Sequence, residues 1–324
     1  MDGIEAIVTG WSSTFPTLAQ LDTATSLNLV VVMGASVRGI HPERLLKRGV
    51  TICNTADAIA ASVAEHCVLL ALAGLRRLTD VDRRMHGGEW PPHSSRLSGH
   101  AILDRARRSA AAAPFVDTLR PLGSKLRARF GLGASARPWH GLRGQTVGLV
   151  GWGHVARHVA RLLEPFECQI LVASSVISGE DASQSRVKPA SLAEVLGAST
   201  VVSIHKGLSE SSRGLIGKKE LDLLRSGSVL INTARSAIID ESALLDRARR
   251  GDIVVGLDVF DVEPLPRRHP LRRLRNVILT PHSASSTPEC QRRVGAQALA
   301  LLGAWMNAEP LPAITAAQLA RMTL

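Results

Sequence analysis

Tyrosine is missing from the 324-residue sequence, and five Phe with five Trp leave the aromatic share at 3%. The apolar content is carried instead by Ala, Val and Leu. Cysteine is scarce as well: Cys53, Cys67, Cys168 and Cys290 stand far apart with no C-x-x-C pair. That spacing excludes a disulfide framework or a zinc site as the organising device and points to a reducing cytoplasm. Long uninterrupted apolar runs are also wanting. The longest, near Val63–Leu75, contains Glu65 and His66, so no segment is expected to span a bilayer. The opening Met1-Asp2-Gly3-Ile4-Glu5 has neither the basic start nor the apolar stretch of an export signal.

What is present describes a globular chain. Hydrophobic residues at 45% with 21% charged exclude disorder on composition, and the length suits one large or two ordinary domains. The formal net charge of +11 is uneven, since Ser98–Arg137 holds eight Lys/Arg against two Asp. That segment has no zinc spacing and only Phe115 and Phe130 between its charges. It reads as a solvated Arg/Ala-rich insertion, and nucleic acid is not expected as a partner.

Apolar periodicity predicts strands over 4–9, 27–33 and 50–53 with helices over 16–25, 41–49 and 58–75. After the irregular 88–137 stretch the pattern becomes regular. Strands are expected over 146–150, 169–173, 200–204, 228–232, 254–257 and 277–280, with helices over 154–163, 191–196, 218–224, 241–249 and 288–305. Strands alternating with helices imply a parallel, doubly wound sheet.

Gly151-Trp152-Gly153-His154-Val155-Ala156 follows a strand and opens a helix, a G-x-G-x-x-A core with Ala replacing the third glycine. Gly151 permits a tight turn, Gly153 admits a pyrophosphate to the backbone, and Ala156 is small enough for close helix–strand packing. The second strand ends Ala173-Ser174-Ser175 without the carboxylate that a ribose 2′-hydroxyl usually meets, so NAD and NADP both stay open, with NAD narrowly ahead. Three further strand ends carry polar groups: Asn232-Thr233-Ala234-Arg235, Leu257-Asp258 running on to Glu263, and Thr280-Pro281-His282. All emerge at the edge where open α/β sheets bind ligands.

Together with Val63-Ala64-Glu65-His66, Gly88-Glu89-Trp90, Leu142-Arg143-Gly144, Ser203-Ile204-His205 and Arg213-Gly214-Leu215-Ile216-Gly217, these motifs resemble the D-isomer-specific 2-hydroxyacid dehydrogenases. The resemblance implies an α/β fold with a Rossmann-type NAD(P)-binding domain at 91–283, including the basic insertion at about 98–137. It implies a smaller, incomplete flavodoxin-like substrate domain from 1–90 and 284–324. The implied reaction interconverts a small 2-oxo acid and its D-2-hydroxy acid by hydride transfer, in a cytoplasmic homodimer assembled through the cofactor domain. The alternative from another class is a catalytically silent, corepressor-like protein that binds NAD(H).

Carried over residue by residue, His282 would be the general acid and base, and Glu263 would bond its other ring nitrogen and stabilise its charged form. Arg235 would grip the substrate carboxylate, and Asp258 would meet the nicotinamide carboxamide. His205, Thr233 and Ala234 would line the nicotinamide side, and Gly151, Trp152, Gly153, His154 and Val155 the pyrophosphate, with Ser174 by the ribose. Glu rather than Gln at 263 argues against the formate-oxidising branch. The backbone of Ala35 and Ser36 would hold the carboxylate. Arg38 stands where many members have Asp; it either favours a second anionic group on the substrate, or caps a helix or pairs with Glu43. Two departures are expected to matter: a strand–helix–strand unit is missing before Ile4–Thr9, leaving that strand at an edge, and the insertion falls near the interdomain hinge.

Overall fold

A computed structural model describes residues 1, 3–10, 13–90, 139–177 and 186–319. The basic insertion at 98–137 lies outside them. The chain divides into two compact units, Met1–Gly74 with Leu142–Leu324, and Leu75–Gly141.

The first unit holds two parallel sheets. The smaller runs β1 (Ala6–Gly10), β2 (Leu29–Met33), β3 (Thr51–Asn54) in that order. Its central strand is apolar throughout because both faces are covered. Leu29 and Val31 pack on Ala298 and Leu301 of a long C-terminal helix (Pro288–Met306), while Val30 and Val32 pack on Leu21 and Leu45 of α1 (Leu18–Thr23) and α2 (Pro42–Lys47). β1 pairs only with β2 among the described residues, and Val8 is 40% exposed there, so the expected edge strand is present.

The larger sheet contains β4 (Thr146–Val150), β5 (Gln169–Ala173), β6 (Val187–Pro189), β7 (Val201–Ile204), β8 (Val229–Asn232), β9 (Val254–Leu257) and β10 (Val277–Leu279). Its order is β10–β9–β8–β7–β4–β5–β6, every pair parallel. The chain steps outward from β4 to β6 and returns to β7 on the other side of β4. The strand order therefore reverses between β4 and β7, which opens a crevice at their carboxyl ends. This is the expected doubly wound architecture. β6, three residues ending in Pro189, has no counterpart in the sequence expectation; proline limits it to a short edge strand.

Helix α3 (Ala56–Leu75) corrects one expectation. Its 20 residues are long and apolar enough, by length and composition, to cross a membrane. The apolarity has another use here. A Cβ on Gly74 would stand 2.7 Å from Val229 Cγ1, and one on Gly256 would stand 3.3 Å from Leu70 Cδ1. Small residues thus bring α3 directly onto β8 and β9, where Leu70 is 2% exposed.

In the second unit, α4 (Leu78–His86) follows Arg77, whose backbone is left-handed at φ 51°. Arg77 pairs with the buried Asp80 at 3.0 Å, and the His140 N–H donates to the Leu75 carbonyl.

Candidate active site

The turn after β4 contains two glycines with different duties. Gly151 has φ +99°, and a Cβ on it would meet His205 C and O and Lys206 N at 2.8 Å. Glycine is required there by backbone angle and by the loop leaving β7. A Cβ on Gly153 would meet nothing within 4 Å. Gly153 caps α5 (His154–Leu163), whose first turn has no acid and no side-chain cap. The leading N–H groups of a ten-residue helix therefore face open space, where an anionic pyrophosphate fits. The buried Ala156 permits the close packing of α5 that the motif predicts.

Asp258, which follows β9, is 1% exposed and organises the turn after β10. Its Oδ1 accepts from the Thr280 hydroxyl at 2.6 Å and the Ser283 N–H at 2.9 Å, and its Oδ2 accepts from the Ala284 N–H at 3.0 Å. With that hydroxyl hydrogen committed to Asp258, His66 on α3 donates from Nε2 to the Thr280 oxygen at 3.0 Å. Burial pushes the His66 ring below its ordinary value, with the Asp258 charge opposing. The three bonds hold His282 in a left-handed conformation, φ 52°, which costs a non-glycine residue about 1–2 kcal/mol. In that pose His282 Nδ1 lies 2.7 Å from Glu263 Oε2, and Glu263 Oε1 accepts the Phe260 N–H at 3.0 Å.

Arg235 leaves β8 in a turn bracketed by Asn232, which donates to the Arg235 carbonyl at 2.8 Å and accepts from the Ala234 N–H at 3.0 Å. Burial holds the Arg235 guanidinium below its usual value; the Glu263 charge opposes this and the Arg38 charge adds to it. Arg235 thus lies within electrostatic reach of both. The loop carrying Ala35 and Ser36 is tied down by Asn54, whose amide donates to the Ala35 carbonyl at 3.0 Å. Arg38 is exposed and forms no ion pair among the described residues, with Glu43 or otherwise; its N–H rests on Ser36 Oγ at 3.4 Å.

A cleft of about 480 Å³ joins these parts. It is lined by Ala35 and Ser36, by Gly153, His154 and Val155, by His205, and by Thr233, Ala234, Arg235, Asp258 and His282. Glu263 lies beside His282 in an adjoining cavity of about 580 Å³, walled by Phe260, Pro264, Leu265, Leu279 and Pro281. Trp152, Ser174, Gly151 and Arg38 do not line the cleft. The Trp152 indole is buried, with Arg157 5.7 Å from its ring centre, and Ser174 Oγ accepts the Val176 N–H at 3.3 Å.

The chain matches the model of the D-isomer specific 2-hydroxyacid dehydrogenase NAD-binding domain over residues 119–284. It is 30% identical to a glyoxylate reductase from Aeropyrum pernix, across 90% of this chain and 77% of that protein. It belongs to the D-2-hydroxyacid dehydrogenase family. A D-3-phosphoglycerate dehydrogenase from Archaeoglobus fulgidus is also 30% identical over 85% of this chain, which spans 44% of that longer protein. The fold is shared with a glyoxylate reductase from Paecilomyes thermophila at TM-score 0.71, 24% identity, covering 96% of this chain and 83% of that one.

This D-2-hydroxyacid dehydrogenase is thus an NAD-dependent enzyme by class, and the open space at Gly153 fits the cofactor's pyrophosphate. Sequence reasoning quoted Asn232, Thr280 and His66 within motifs but gave them no role, and it did not single out Asn54. Each acts through a bond to another residue's backbone or hydroxyl, a partner that the motifs do not reveal.

Proposed function

We propose that the cleft reduces a small 2-oxo acid to its D-2-hydroxy acid with NADH, and runs the reverse oxidation with NAD. The observation that carries this reading is the shared cleft of Arg235 and His282, with Glu263 on the far ring nitrogen and the open helix terminus of α5 beyond. Reduced nicotinamide, when bound, supplies a hydride to the carbonyl carbon. Arg235 and the backbone N–H groups of Ala35 and Ser36 grip the substrate carboxylate, which turns the carbonyl toward His282. Glu263 keeps a proton on Nδ1, so Nε2 of the charged ring points its proton at the carbonyl oxygen. As the C–H bond forms, the C=O π electrons take that proton, leaving a hydroxyl and a neutral imidazole that solvent reprotonates. Asp258 meets the carboxamide with its remaining acceptor capacity on Oδ2.

Arg38 shapes the substrate. With no acid holding it among the described residues and its charge felt at Arg235, it favours 2-oxo acids bearing a second carboxylate or a phosphate. NAD is favoured over NADP, since no Lys or Arg follows Ser174 and Ser175 closely in the sequence to neutralise a 2′-phosphate. The homodimer rests on the family resemblance, and a reducing cytoplasm is supported by four buried free thiols. Burial drives the Cys67 thiol up to about 11.

The experiment is loss of the reduced-nicotinamide absorbance with a panel of 2-oxo acids. His282→Ala should lower kcat by about 100-fold or more while NADH binding, read by fluorescence, stays within about twofold. Binding without consumption by the wild type would leave the sensor alternative standing. Full turnover in the variant would remove His282 from the acid's role.

A further inference from the structure

Outside the reacting centre, one acidic side chain touches the cofactor turn from a different element. Asp57 lies in the first turn of α3. Its Oδ1 is 3.1 Å from Nδ1 of His154, the first residue of α5 and part of the cleft wall. The same oxygen lies 3.6 Å from Nε2 of His158, one turn further along α5. His158 Nε2 is buried and has no hydrogen-bond partner among the described residues. A carboxylate so close to an anion-binding helix terminus opposes a pyrophosphate, unless an intervening group reverses its effect.

We propose that Asp57 is a positioning residue for the cofactor: it holds His154 by Nδ1–H so that the protonated ring offers Nε2–H to the pyrophosphate. The chemistry of imidazole makes this proton-dependent. With one proton on Nδ1 and committed to Asp57, Nε2 of the neutral ring has only a lone pair, which repels a phosphate oxygen. Only the doubly protonated ring donates from both nitrogens. Cofactor binding therefore takes up a proton wherever the free ring is neutral. The charged and titratable groups around His154 are Asp57 from α3, Arg157 and His158 from α5, and His205 and Lys206 from the loop after β7. Burial pushes His205 down to about 3, so it stays neutral across the working range. This inference rests on the cleft being the NADH site, and on nothing about the substrate.

The test is the dissociation constant of NADH, measured by fluorescence from pH 5.5 to 8.5 without substrate. Wild-type affinity should weaken as pH rises through that window, by up to about tenfold per pH unit once the ring has lost its second proton. His154→Arg, with a fixed charge, should flatten the profile. Asp57→Asn should weaken binding at pH 7 and move the transition to lower pH, whereas His158→Gln should leave the profile in place. Calorimetry in two buffers of different ionisation enthalpy should show proton uptake in the wild type and none in His154→Arg. A flat wild-type profile overturns the proposal, as does tighter binding by Asp57→Asn, which would make Asp57 merely a repulsive neighbour. Loss of the profile in His158→Gln would do so too. Failure of the wild type to bind NADH at any pH would instead refute the cofactor cleft itself.

Discussion

At the scale of single residues, the site is a set of side chains whose orientation is imposed by neighbours that take no part in chemistry. His282 occupies a backbone region that non-glycine residues avoid, and three bonds to Asp258 keep the turn there. Arg38 has the opposite character, an exposed guanidinium with no ion pair among the described residues. A charged hydrogen bond is worth about 1.5–3 kcal/mol, so Arg38→Gln should lower kcat/KM for oxaloacetate by about tenfold or more relative to glyoxylate. Equal losses on both substrates would limit Arg38 to a general field effect. The cofactor glycines could be read from the strand–turn–helix motif, and the family resemblance assigned the acid and the arginine among the polar groups at strand ends. Asp57 could not, because its partners lie 97 residues and more away on another helix.

At the scale of elements, most strands and helices follow from apolar periodicity. The strands at 146–150, 169–173 and 254–257, and the helices at 154–163 and 241–249, fall on the expected residues. β6 is too short for alternation to register, and α4 is marked by polar rather than apolar residues. The two glycines of the cofactor turn separate stability from binding. Gly151→Ala forces a Cβ into the backbone of His205 and Lys206, and should destabilise the fold by about 1–3 kcal/mol, read as a lower melting temperature. Gly153→Val meets no protein atom at its Cβ, so it should melt near the wild type yet lose NADH binding. The reverse pattern would mean that the turn has been misread. His205 links the same element to pH. Its buried ring has a value of about 3 against 6.5 when exposed, so between those values the unfolded chain holds a proton that the folded chain refuses. Stability thus falls as pH drops below 6.5. Urea unfolding at pH 7.0 and 5.5 should show the wild type losing about 1 kcal/mol more than His205→Asn.

For the molecule as a whole, apolar packing fixes the sheets, and a few buried polar contacts fix their helices. Arg247 on α6 (Glu241–Arg249) is 3% exposed; it pairs with Asp252 and donates to the carbonyls of Leu221 and Leu224 at 3.0 Å. Arg247→Met leaves those acceptors unsatisfied and should cost about 3 kcal/mol in chemical denaturation, without altering the pH profile of NADH binding. Helix α3 shows why context decides at this scale. Its composition alone would let it cross a bilayer, yet Gly74 and Leu70 seat it against Val229 and Gly256 of the larger sheet.

Local periodicity and strand-end motifs determined the alternation of elements, the glycine turn and the placing of Arg235, Glu263 and His282 at or after strand ends; their roles came from the family resemblance. These are properties of short stretches of chain, where spacing alone dictates which face or end a residue occupies. Tertiary structure alone decided that Arg38 has no ion pair among the described residues while its charge reaches Arg235, that Asp258 braces the His282 turn, and that Asp57 meets His154. Those are contacts between elements remote in sequence, and their geometry exists only once the sheets have packed.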